Sequence, residues 1–130
     1  MKCVRVVDPA DFDNIVNAAV DESSAVFVLF FGRESPDTNL SWCPDCVIAD
    51  PEVRRAVSSV ENSILLEVPI DRKSDIQSPF NVFRDRADTK VERIPMLLRW
   101  TAGGPSATRL VEDDCTVNSV KEYIKSTGQQ

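Results

Sequence analysis

A chain of 130 residues with 42% hydrophobic and 28% charged side chains can enclose a core without staples, and this composition excludes disordered and fibrous classes. The formal net charge of −6 excludes the clustered basic footprint needed for nucleic acid or an anionic membrane. No apolar stretch reaches the ~20 residues of a membrane span, and Asp8-Pro9 interrupts the opening residues too early for a signal peptide, so a single cytoplasmic domain over residues 1–130 is expected.

In chain order, Val4 to Val7 predicts a short first strand. Asp8-Pro9 has the form of a helix start, with Asp8 as N-cap and Pro9 at the first helical position, where its missing N–H costs nothing. Phe12, Ile15, Val16 and Ala19 then share one helical face, and the helix should end near Asp21 to Ser24. The unbroken apolar run Ala25 to Phe31 predicts a central strand covered on both faces, stopped by Gly32. Arg33 to Ser41 is polar, carries Pro36, Asp37 and Asn39, and reads as a loop leading into a cysteine pair. Beyond Cys46, the spacing of Val47, Val53 and Val57 predicts a helix to about Ser59, kinked at Pro51.

Ile64 to Ile70 is the next strand, with pairing expected to stop at Pro69. Ser78-Pro79 repeats the cap-plus-proline signature and predicts a short helix that turns Phe80 and Phe83 inward. Met96 to Trp100 predicts a fourth strand, Gly103-Gly104-Pro105 a turn, and Thr108 to Val111 a fifth strand returning as its hairpin partner. A last helix is expected from about Val117 to Lys125, burying Val117, Val120, Tyr123 and Ile124. The order β-α-β-α-β-α-β-β-α predicts an α/β fold: one mixed sheet of about five strands flanked by helices.

Chemistry concentrates in Trp42-Cys43-Pro44-Asp45-Cys46. After a buried strand and at the mouth of a helix, Cys43 meets unpaired backbone N–H groups and the positive end of the helix dipole, both of which favour the thiolate, the attacking species. Cys46 follows about one helical turn later, within disulfide reach. In a reducing compartment such a pair signals redox chemistry or metal. Zinc needs about four ligands, whereas the chain has no histidine and no second C-x-x-C, so no metal is expected. Inert core thiols are the other alternative.

Trp42 before C-x-x-C, Pro51 eight residues after the first cysteine, and Ile94-Pro95 before a strand together resemble the thioredoxin pattern. The C-P-D-C filling, the polar insertion Arg33 to Ser41 and the segment Leu110-Val111-Glu112-Asp113-Asp114-Cys115 narrow this to a resemblance to the thioredoxin domain-containing protein 17 family. The resemblance implies a thioredoxin fold, Cys43 as nucleophile, Cys46 as resolving thiol and a cis peptide before Pro95. It places Ile94 and Pro95 against the cysteines as substrate-binding residues. It also implies recycling by thioredoxin reductase and action on small disulfides such as cystine and on selected protein disulfides. No cofactor is implied, and a monomer is expected.

Where thioredoxins carry a buried Asp beneath the cysteines, this chain has Leu29. Asp45 is the candidate substitute, its charge opposing ionisation of Cys43 and helping to accept a proton from Cys46; with Pro44 it can equally be a favourable first-turn residue. Trp42 is either core filler or an apolar platform beside the reactive sulfur. Cys3 and Cys115 read as small packing residues. The loop Arg33 to Ser41 is by default a solvated segment; as part of the site, it would narrow access for large disulfides. Two other functions stay open: a glutathione-linked reductase of the glutaredoxin type, and a thioredoxin-fold binding module whose contacts rather than thiols matter.

Overall fold

The computed structural model describes residues 1–72, 74–75 and 77–128. Its strands are β1 (Lys2–Arg5), β2 (Val26–Gly32), β3 (Ile64–Ile70), β4 (Met96–Thr101), β5 (Gly104–Pro105) and β6 (Leu110–Val111). The helices are α1 (Phe12–Glu22), α2 (Pro44–Ser58), α3 (Val82–Asp85) and α4 (Val117–Gly128), with single 3-10 turns at Pro9–Asp11, Pro79–Asn81 and Glu112–Asp114. Both cap-plus-proline signatures open such a turn: the Asp8 carboxylate accepts from the Ala10 amide at 2.9 Å, and the Ser78 hydroxyl from the Phe80 amide at 3.2 Å.

The sheet runs β1-β3-β2-β4-β5, with β6 also paired to β4; β1, β3 and β2 are mutually parallel and β4 is antiparallel. Every residue of β2 is buried because both sheet faces are covered. Val26, Val28 and Phe30 join Phe12, Phe83 and Leu98 on one side, where the aromatic rings meet edge to face. Phe27, Leu29 and Phe31 look the other way, toward Ala49, Val53 and Val57 of α2 and Val120 and Tyr123 of α4.

Two expectations about the strands shift. The first strand is Lys2–Arg5 rather than Val4–Val7, because its partner positions run from Ile64 to Glu67; Val7 has already left the ladder and is 80% exposed. Pro69 does not end the pairing of β3, which continues with β2 to Ile70. The Glu67 carbonyl accepts from Val6 on the β1 side and the Ile70 carbonyl accepts from Arg33 on the β2 side, so the missing amide of Pro69 points to the β1 side, past the last residue of β1. Helix α2 runs through Pro51 as one element ending at Ser58, in line with the single helix expected to about Ser59.

The returning limb of the hairpin is broken into β5 and β6. Trp100 pairs with Pro105 and Leu97 with Leu110, so the four residues 106–109 face only Leu98 and Arg99. The Tyr123 hydroxyl fills this gap, accepting from the Arg99 amide at 2.9 Å and donating to the Thr108 carbonyl at 2.7 Å. The Arg99 guanidinium extends the clasp, donating to the carbonyls of Ile124 (3.1 Å) and Ser24 (2.8 Å).

Candidate active site

Strand β2 delivers the chain at Gly32, the segment 33–41 folds out and back, and Cys43 becomes the N-cap of α2 with extended backbone (φ −99°, ψ 111°). At this cap the Cys43 sulfur takes the place of the usual oxygen acceptor, receiving the Cys46 amide at 3.3 Å. The Cys43 thiol donates toward the Ile94 carbonyl at 3.8 Å. Its own amide donates to the Ser41 hydroxyl at 3.0 Å, a short-range Ser-to-backbone turn that fixes the approach to the helix.

Cys46 sits one turn inside, 3% exposed against 7% for Cys43, and its sulfur accepts from the Gly32 amide at 3.4 Å. Both thiols are unbridged. Burial pushes the Cys46 thiol well above its ordinary range, and the neighbouring Cys43 acts in the same direction; the Gly32 amide and the Ser41 hydroxyl act against them. Gly32 is required by space: a Cβ there would lie 2.7 Å from the Ser41 hydroxyl oxygen and 2.9 Å from both Cys43 Cβ and Trp42 Cε2.

Trp42 is half-buried, its indole N–H donating to the Ile70 carbonyl at 2.9 Å, while the Arg72 guanidinium lies 5.4 Å from the ring centroid. Pro44 and Asp45 are exposed in the first turn of α2. The Ile94–Pro95 peptide is cis, and Ile94 packs against the cluster that holds both cysteines. The structure therefore gathers Trp42, Cys43, Cys46 and Ile94 at one point, with Pro95 buried next to Ile94 in the chain and Asp45 exposed.

Leu29 is buried in the same cluster as the two cysteines, leaving the floor of the site apolar. Cys115 shares that cluster and is 2% exposed, as expected of a packing residue; burial raises its thiol to about 12. Cys3 departs from the expectation: it is exposed, because β1 is the sheet edge, and its sulfur meets the Arg54 guanidinium at 3.6 Å instead of the core. Among the described residues, no three or more His, Cys, Asp or Glu side chains gather as a metal site, and no helix is long and apolar enough to cross a membrane.

The segment 33–41 is folded rather than loose. Glu34 bridges to Ser41, the Ser35 amide donates to the Leu40 carbonyl at 2.8 Å, and the Arg5 guanidinium grips the Glu34 carboxylate at 2.8 and 3.1 Å, holding that carboxyl below its ordinary range. Between this segment and α2 runs a cleft of about 250 Å³, lined by Phe31, Leu40, Ser41, Cys46, Val47 and Asp50 among others. Gly32 and Ser41 are the positions sequence reasoning passed over, one as a strand stop and the other as a loop end. The signal available for Ser41 was a hydroxyl residue two places before a helix-opening cysteine.

A mixed sheet carrying two reduced cysteines at a helix mouth defines the class, a thioredoxin-like oxidoreductase. Among solved structures, thioredoxin F from spinach chloroplast in its short form aligns with a TM-score of 0.70 at 14% identity, covering 98% of this chain and 95% of that one. The family is narrower. The model of the thioredoxin domain-containing protein 17-like thioredoxin domain matches residues 5–126, and the chain belongs to that family. Thioredoxin domain-containing protein 17 of mouse is 32% identical over 124 residues, covering 95% of this chain and 94% of the mouse protein. The human protein of the same name is 28% identical over 121 residues, covering 92% and 94%.

Proposed function

We propose that the chain is a disulfide reductase in which Cys43 is the nucleophile and Cys46 the resolving thiol, recycled by thioredoxin reductase. In the first step the Cys43 thiolate attacks one sulfur of a substrate disulfide; the substrate S–S bond breaks, its electron pair leaves on the other sulfur as a thiolate, and a mixed disulfide remains on Cys43. In the second, Cys46 loses its proton and attacks the Cys43 sulfur, forming the Cys43–Cys46 bond and releasing the rest of the substrate as a thiolate, which takes up a proton from water. Two electrons pass from the dithiol to the substrate. The reductase must return them before the next cycle.

The observation that carries this reading is the cap of α2, where the Cys46 amide donates to the Cys43 sulfur at 3.3 Å while the Cys46 sulfur lies behind it with less exposure. An amide already aimed at the sulfur supports its anionic form. Ile94, whose carbonyl meets the Cys43 thiol, is a substrate-binding residue on this reading: an incoming chain displaces the thiol and pairs with the Ile94 backbone, with Pro95 holding that turn. Trp42 provides an apolar wall, Asp45 a charge that moderates Cys43, and the folded segment 33–41 a barrier favouring small disulfides such as cystine, in a cytoplasmic monomer.

The test is NADPH consumption with purified thioredoxin reductase, with cystine and insulin run side by side. Turnover with cystine exceeding insulin, abolished in Cys43→Ser, is the expected result. Regeneration by glutathione instead would replace this reading with the glutaredoxin type. Partner binding retained by a Cys43→Ser, Cys46→Ser variant, with poor turnover of the parent chain, would replace it with a binding module.

A further inference from the structure

The cysteine buried behind Cys43 must lose a proton before it can resolve a mixed disulfide, and the buried cluster that holds it contributes Leu29, which offers no base and no polar partner. The polar groups nearest to hand are those of Gly32 and Ser41, whose hydroxyl oxygen lies beside Gly32. The Gly32 amide donates to the Cys46 sulfur at 3.4 Å, possible because Gly32 has no Cβ to press on Ser41, Trp42 and Cys43. The Ser41 oxygen is held in place by accepting the Cys43 amide at 3.0 Å, which leaves the hydroxyl hydrogen available for a second partner. Ser41 and Cys46 both line the cleft beside α2, which gives this pair a route toward water.

Resting on the reading of Cys46 as the resolving thiol, we infer that Ser41 is a positioning residue for the second step: its hydroxyl and the Gly32 amide form a two-donor cradle for the Cys46 thiolate, and the proton leaves through the adjoining cleft. Neither donor removes the proton. They stabilise the anion that remains, while a water in the cleft carries the proton out and the departing substrate thiolate regains one from solvent, so protons balance over the cycle. A hydrogen bond to a charged acceptor is about twice as strong as a neutral one, so the cradle acts mainly on the ionised state. That the same hydroxyl opposes the burial-driven rise of the Cys46 thiol agrees with this geometry.

The experiment is single-turnover reduction of an aromatic disulfide, 5,5′-dithiobis(2-nitrobenzoate), followed by stopped flow. Attack by Cys43 releases the first chromophoric thiolate and attack by Cys46 the second, and Cys46→Ser removes the second phase as a control. Ser41→Ala is expected to leave the first phase within about twofold and to slow the second about tenfold, a loss recovered by raising the pH about one unit. Ser41→Thr, which keeps the hydroxyl, is expected to restore much of the second phase. Equal slowing of both phases in Ser41→Ala, an unchanged second phase, or slowing that no rise in pH relieves would each overturn the role of Ser41 while leaving the Cys43–Cys46 cycle intact. Absence of the first phase in the unaltered protein would overturn the cycle itself, and this inference with it.

Discussion

Replacing Tyr123 by Phe removes one oxygen and leaves the ring, so its effect isolates the bond that spans the broken hairpin. In the native structure that oxygen accepts the Arg99 amide at 2.9 Å and donates to the Thr108 carbonyl at 2.7 Å. The amide is buried and nothing else described reaches it; an orphaned buried donor costs about 1–3 kcal/mol. The Thr108 carbonyl is only part-buried and can turn to water, adding a few tenths at most, so the loss should be about 2 kcal/mol. With an unfolding entropy of about 2.1 cal/mol/K per residue, 130 residues convert this to a fall in Tm of roughly 7 °C. Thermal and urea unfolding under excess reductant, followed by tryptophan fluorescence, measures it, and amide exchange at Arg99 should accelerate in parallel. A fall of less than about 2 °C, with Arg99 still protected, would refute the idea that this hydroxyl substitutes for a ladder bond.

Gly32→Ala is expected to destabilise the fold by about 1–3 kcal/mol and to lower disulfide reduction at least tenfold, since the added methyl collides with Ser41, Cys43 and Trp42 together; near-native values in both assays would contradict the packing argument. Cys115 links stability to alkaline pH. Its folded-state ionisation is raised from 9.0 to about 12, so its contribution is fully present below about pH 9 and is lost as the pH climbs toward 12, at up to ~1.4 kcal/mol per pH unit. Cys115→Ala should flatten that decline in pH-dependent urea unfolding, and an unaltered slope would count against it. Deleting residues 36–39 should raise the rate with insulin relative to cystine in the reductase-coupled assay; an unmoved ratio would remove the barrier role of this segment.

The elements legible in the sequence were those with a local cause. The Asp8-Pro9 and Ser78-Pro79 signatures carry their own caps, and the run Ala25 to Phe31 needed only the rule that a strand covered on both faces is apolar throughout. The site's outline was legible for the same reason, because C-x-x-C at a helix mouth is a local pattern. What escaped depends on distant partners. The edges of β1 follow from the register of β3, the break between β5 and β6 from a tyrosine on α4, and the exposure of Cys3 from its place at the sheet edge. Ser41 escaped because a hydroxyl in a polar segment looks ordinary until the chain brings it back beside Gly32.

The salt bridge from Arg5 to Glu34 has a consequence for selection. It joins the outlying segment to the first strand, so the conformational freedom of that segment is lost during folding and not at each encounter with a disulfide. On the proposed reading, a bulky molecule meets a standing wall and is turned away before any covalent bond forms. Discrimination would then lie in the association rate, with rejected disulfides leaving no trapped adduct on the enzyme.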